Sequence, residues 1–174
     1  FGKWSEEPDE LIYAHKKILN DFEFCQHRNV NLLATASSDD PVKLWKLPPD
    51  PQHYGLAEKI VEPVSQLATG APVLRVGFHP LVKHCMFTGH TDLLQFWDLE
   101  TQKPVVKIAH EGFVMDTWSF NFTGGEMVAG CKDKKIRLFD IRSPNPLIGE
   151  QEVFPSLKPF NVYWCDHAHP NYQF

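Results

Sequence analysis

The residues best equipped for chemistry stand near the end of the chain, where Cys165-Asp166-His167-Ala168-His169 sets a thiol and two imidazoles at alternate positions. These are zinc-ligand types. No second cluster stands at a ligand spacing from them, and strand alternation would string Cys165, His167 and His169 along one face instead of around an ion. The expectation is therefore no metal. No cofactor is expected either, because Gly124-Gly125 reads as a hairpin turn without the flanks of a phosphate loop. No Ser/His/Asp or Cys/His set stands out as nucleophile and base, so the sequence is expected not to encode an enzyme. The most suggestive polar cluster is Lys132, Lys134, Lys135, Arg137 and Arg142. Alternation puts Lys135 and Arg137 on one strand face, opposite Ile136 and Leu138, where an acidic protein surface could dock. The plain alternative is a solvated strand face beside a structural turn.

The elements that must hold these residues belong to an ordinary globular chain of 174 residues, 43% hydrophobic and 22% charged, with enough apolar mass for a core. The net charge of −5 and pI of about 6.0 argue against nucleic acid or an anionic membrane surface as a general partner. Cys25, Cys85, Cys131 and Cys165 include no CxxC pair and are expected to be free, buried thiols in a reducing compartment. No run approaches the roughly 18 apolar residues of a membrane span, and Phe1-Gly2-Lys3-Trp4 does not open a secretory signal, so a cytosolic location is expected. Asn121-Phe122-Thr123 fits the glycosylation pattern but reads as a strand-to-turn segment. A start without Met and an apolar end lead to the expectation of a piece of a longer protein.

The chain repeats itself. Leu32-Leu33-Ala34-Thr35-Ala36-Ser37-Ser38-Asp39-Asp40-Pro41-Val42-Lys43-Leu44-Trp45, Cys85-Met86-Phe87-Thr88-Gly89-His90-Thr91-Asp92-Leu93-Leu94-Gln95-Phe96-Trp97-Asp98 and Met127-Val128-Ala129-Gly130-Cys131-Lys132-Asp133-Lys134-Lys135-Ile136-Arg137-Leu138-Phe139-Asp140 are three copies of one hairpin. Each is a short apolar strand, a tight turn carrying Asp, and an alternating strand closing on an aromatic residue. The closing aromatics Trp45, Trp97 and Phe139 stand 52 and 42 residues apart, near the roughly 40–45 of a four-stranded propeller blade. Strand-like runs precede the hairpins at 18–24, 73–78 and 114–120 and follow them at 59–61, 105–108 and 148–153. The run at 160–165 reads as the first strand of a further unit. The expected fold is all-β, a partial WD40-type β-propeller of about three four-stranded blades (11–63, 64–109 and 110–153) and the start of a fourth (154–174). Such an arc cannot close, so its apolar ends are expected to self-associate or to meet the remainder of a parent protein.

In WD repeats a His before the first strand, a Ser or Thr on the second, the turn Asp and the Trp of the third form a buried hydrogen-bond relay. The first unit resembles this pattern with His15, Ser37, Asp39 and Trp45. The third keeps His110 and Asp133 but has Cys131 and Phe139, and the second lacks the His altogether. The relay residues are expected to be structural.

The segments Leu32 to Pro48, Val73 to Pro80 and above all Val128 to Arg142 (VAGCKDKKIRLFDIR) resemble the coronins, most closely the long tandem-propeller kind. Ile141 stands where the coronin pattern has Pro. The resemblance covers about residues 13 to 142 and implies a rigid, non-catalytic platform that binds actin filaments or other proteins, with roles in the cytoskeleton and Golgi-linked traffic. The alternative is a general WD adaptor for trafficking, ubiquitin-ligase or nuclear-transport complexes.

Overall fold

A computed structural model describes residues 13–28, 30–39, 41–47, 62–153 and 160–165. Among these the chain forms eleven strands and no helix. It divides into two units, Phe1–Val76 and Gly77–Phe174.

The first unit holds an antiparallel sheet ordered β1 (Leu19–Phe24), β2 (Leu32–Ser37), β3 (Val42–Lys46) and β4 (Ser65–Leu67). β2 has small side chains at Ala34, Thr35, Ala36 and Ser37, all buried, which lets both faces of the strand be covered. The fourth strand is Ser65–Leu67, paired on Val42–Leu44, and so lies beyond the 63/64 boundary read from the sequence. The run at 59–61 lies outside the described residues. Asp21 and Asn20 pin the exit of this unit: Val76 donates its N–H to Asp21 Oδ2 at 3.0 Å, and Asn20 Nδ2 donates to the Val73 carbonyl at 2.7 Å.

The other strands form a sheet ordered β11 (Leu147–Glu152), β10 (Lys135–Asp140), β9 (Glu126–Cys131), β8 (Lys103–Phe120), β7 (Thr91–Asp98), β6 (Cys85–Gly89) and β5 (Arg75–Phe78). The runs at 105–108 and 114–120 are one strand. Its first half pairs with β7, from Lys103↔Asp98 to Ala109↔Leu93, and its second half with β9, from Met115↔Cys131 to Phe120↔Met127. Gly112, at φ +75°, lets the chain turn between these halves and donates its N–H to Asp92 Oδ1 at 2.7 Å. Phe87, Phe96, Phe113, Met127 and Phe139 are buried in one cluster, each worth about 1.5–3 kcal/mol of apolar transfer.

Residues 160–165 do not form the expected strand. They follow β8 by side-chain bonds, Val162 N–H to Thr117 Oγ1 at 3.5 Å and Trp164 N–H to Ser119 Oγ at 2.9 Å.

Candidate functional site

Each hairpin solves the same problem: polar groups at the closed end must be satisfied away from water. In the first, His15 Nδ1 lies 2.9 Å from Asp39 Oδ1 and Nε2 lies 2.9 Å from Thr35 Oγ1, while Trp45 Nε1 donates to Thr35 Oγ1 at 2.9 Å. A carboxylate only accepts and an indole only donates, so Nδ1 carries the imidazole proton and the Thr35 hydroxyl donates to Nε2. The hydroxyl of this network is Thr35, not Ser37. Trp45 stands opposite Leu33, so Thr35 is one diagonal step away on that face, whereas Ser37 lies four residues along, roughly 13 Å. Ser37 Oγ instead donates to the Ile18 carbonyl at 2.7 Å and accepts from Asp39 N–H at 3.3 Å. Burial opposes ionisation of Asp39, but the neighbouring Ser37 hydroxyl, the bond from the Lys16 N–H and the His15 imidazole prevail and hold its pKa at about 2. Lys43 Nζ donates to the Ala14 carbonyl at 2.6 Å and so anchors the residue before His15.

The second hairpin supplies its own imidazole. Trp97 Nε1 donates to Thr88 Oγ1 at 2.9 Å, and Thr88 Oγ1 lies 2.9 Å from Nε2 of His90, a buried residue between β6 and β7. A histidine before the first strand is unnecessary when the turn delivers one. The signal was visible in the sequence: Thr35 and Thr88 hold equivalent places and stand ten and nine residues before their tryptophans.

The third hairpin replaces the relay with charge. Arg137, whose side chain is 2% exposed, donates from Nη1 and Nη2 to the two oxygens of Asp133 at 3.1 and 2.6 Å and from Nε to Glu150 Oε2 at 3.1 Å. Its guanidinium lies 5.7 Å from the centre of the Phe113 ring. These bonds hold Asp133 below the usual carboxylate range and Arg137 above its own, although burial pushes each the other way. Phe139 brings no indole N–H and packs edge-on against Phe113 at 5.6 Å. His110 is not part of a relay with Asp133, because Arg137 occupies that carboxylate. Its Nδ1 meets the Glu111 carbonyl at 2.9 Å and its Nε2 lies 3.9 Å from Glu150.

The five cations read as a docking cluster have different fates. Arg137 is a core residue, and Lys135 Nζ is held by Glu150 Oε1 at 2.6 Å. Arg142 lies near Asp140 at 3.6 Å, on the turn at the opposite end of β10. Lys132 and Lys134 share the β9–β10 turn and have no ion-pair partner among the described residues. Lys134 adopts φ +70° there, and its N–H donates to the Cys131 carbonyl at 3.2 Å. Sequence reasoning missed Glu150, whose role depends on β11 lying beside β10.

The described residues hold no group of His, Cys, Asp and Glu arranged for a metal ion. Cys165 is exposed, and Asp166, His167 and His169 lie outside the described residues. The four thiols are free, but only Cys131 is buried. Burial pushes Cys85 and Cys131 up to about 11, which disfavours the reactive thiolate. No helix among the described residues is long and apolar enough to cross a membrane.

No protein-family model matches the chain. Coronin-7 of Homo sapiens is 30% identical over 130 residues, which cover 75% of this chain and 14% of that protein. Villidin of Dictyostelium discoideum is 29% identical over 95% of this chain and 10% of its own length. The coronin-like protein of Saccharomyces cerevisiae is 25% identical over 92% of this chain and 26% of its own length. The chain thus spans about a tenth to a quarter of these relatives. In the crystal structure of the WD40 domain from Toxoplasma gondii coronin, 39% of that chain superposes on 89% of this one with a TM-score of 0.74 at 24% identity. The fold is therefore all-β and WD40-type, a part of a propeller. With the relay geometry, the Cys-Lys-Asp-Lys turn and these relatives in agreement, the chain belongs to the coronin family of WD-repeat proteins.

Proposed function

We propose that this chain is a protein-binding, non-catalytic segment of a coronin-type propeller that engages actin filaments in the cytoplasm and serves the organisation of the cytoskeleton or of Golgi-linked membrane traffic. One observation carries the reading of the site: Lys132, exposed, and Lys134, half-buried, lie in the β9–β10 turn without ion-pair partners among the described residues, on a turn fixed by the Arg137–Asp133 pair. A rigid turn that presents two uncompensated cations suits an acidic protein surface, because little side-chain ordering is left to oppose binding. The chain's net charge of −5 makes this a local attraction, which steers a partner to one place.

The test is filament cosedimentation of the full-length parent protein carrying Lys132→Glu and Lys134→Glu. Binding should weaken and lose part of its salt dependence, since exposed charges act within a Debye length of about 8 Å at physiological salt. Unchanged binding at low salt would remove the turn from the interface.

A further inference from the structure

Three turns of the second unit are tied together at the end of β9 away from Lys132 and Lys134. They are residues 79–84 between β5 and β6, 121–125 between β8 and β9, and 141–146 between β10 and β11. His79 makes the first tie. Its buried Nδ1 accepts from the N–H groups of Leu81 and Val82 at 3.1 and 3.0 Å, so the proton sits on Nε2, which donates to the Gly124 carbonyl at 2.9 Å. Gly124 must be glycine: its φ is +68°, and a Cβ there would stand 2.4 Å from His79 Cε1. The second tie joins the other two turns, because Ile141 donates its N–H to the Gly125 carbonyl at 3.0 Å and the Arg142 guanidinium lies against the Gly125 backbone.

What these locked turns present is apolar. Leu81 is 58% exposed, Val82 50% and Phe122 71%, although His79 holds the Leu81 and Val82 backbones and ties them to the Gly124 carbonyl, two residues after Phe122. Neighbouring buried groups are already satisfied: Asn121, beside Phe122, donates to Glu126 Oε2 at 2.9 Å and accepts from Thr123 at 3.0 Å. At the margin Lys83 is exposed without an ion-pair partner among the described residues. The Arg142 side chain, 69% exposed, has one ion-pair contact among the described residues, with Asp140 at 3.6 Å. Of the carboxylates at this end, Asp98 accepts from the Glu100 N–H and Thr101, Asp140 from the Arg142 N–H and Glu126 from Asn121, while Glu100, 68% exposed, lies 3.6 Å from His84.

We propose that this end of the second unit is a docking surface for a short peptide segment that carries leucine-sized or aromatic side chains between carboxylates. The apolar side chains cover Leu81, Val82 and Phe122, and the carboxylates meet Lys83 and Arg142. Exposed apolar residues grouped on a rigid support are a recurrent mark of an interaction site, and the support limits the entropy lost on binding. The surface is independent of the lysine turn, from which it is separated by the six residues of β9, roughly 20 Å.

The experiment selects peptides from a random display library on the 174-residue chain and titrates the enriched peptides against variants by fluorescence polarisation. Enrichment of sequences with apolar residues flanked by Asp or Glu is expected. Their affinity should fall about tenfold or more in Leu81→Ser/Phe122→Ser, and fall with loss of salt dependence in Arg142→Glu. It should stay unchanged in Lys132→Glu/Lys134→Glu, which separates this surface from the actin reading. Circular dichroism establishes that each variant is folded, and if the double serine variant is not, Arg142→Glu decides. Failure to enrich, peptides indifferent to these variants, or a dimer of the unmodified chain that Leu81→Ser/Phe122→Ser dissolves would overturn the proposal, the last by assigning the surface to a second copy.

Discussion

His90 stands two residues after Thr88 in the chain and 2.9 Å from its hydroxyl in the fold, so one hairpin carries both the hydroxyl and the imidazole that the first unit draws from positions 35 and 15. A relay built inside a single turn does not depend on the docking of a preceding segment. His90→Ala removes the partner of a buried hydroxyl and opens a cavity, and should cost about 2–4 kcal/mol. His110→Ala, at a partly exposed site with one 3.9 Å contact to a carboxylate, should stay within about 0.5 kcal/mol. Urea midpoints that fail to separate the two variants would show that His90 is not structural.

The bridging role of Thr35 makes a sharper comparison on a single strand. Thr35→Val keeps the shape but strands the Trp45 N–H and His15 Nε2, and should cost about 1–3 kcal/mol. Ser37→Ala loses the bond to the Ile18 carbonyl at a cost of about 1 kcal/mol. Chemical denaturation of the two variants side by side measures the difference, and a larger loss for Ser37→Ala would return the relay hydroxyl to position 37.

Arg137 holds Asp133 and Glu150 from the core side. Arg137→Met fills most of the volume but leaves Asp133 without its bidentate cation and Glu150 held by Lys135. Removing one partner of a buried pair costs about 3–5 kcal/mol, and because both carboxylates are about one-third exposed the loss here should be nearer about 2–3 kcal/mol. Restoring stability by adding Asp133→Asn would confirm uncompensated charge as the cause; a double variant no better than the single one would point to packing alone.

Asp39 links stability to acid. Its folded pKa of about 2 lies below the 3.8 of a free aspartate side chain, so its contribution is fully present above about pH 4 and is lost as the pH falls toward 2. Asp39→Asn should therefore be less stable than the unmodified chain at pH 6, and the gap between them should close between pH 4 and pH 2. Thermal midpoints across that range read the effect, and a gap that stays constant with pH would detach Asp39 from the relay's charge.

The strands and turns were legible because alternation, breakers and a 40–50-residue period are properties of the chain alone: Leu32–Ser37, Val42–Lys46 and Lys135–Asp140 follow from them directly. The chemistry inside the hairpins was legible only to residue type. Thr35 and Ser37 have the same strand parity, and only comparison with Thr88 in the second hairpin ranks them; the cross-strand register, Leu33 opposite Trp45, brings one within reach of the indole and leaves the other a step too far. Lys135 and Arg137 likewise share a face and each reaches Glu150, yet Phe113 and Asp133 bury one while the other stays near solvent. Parity is set by the covalent chain, and hence by sequence. Depth and partner are set by which strands lie side by side, and only the tertiary structure decides that.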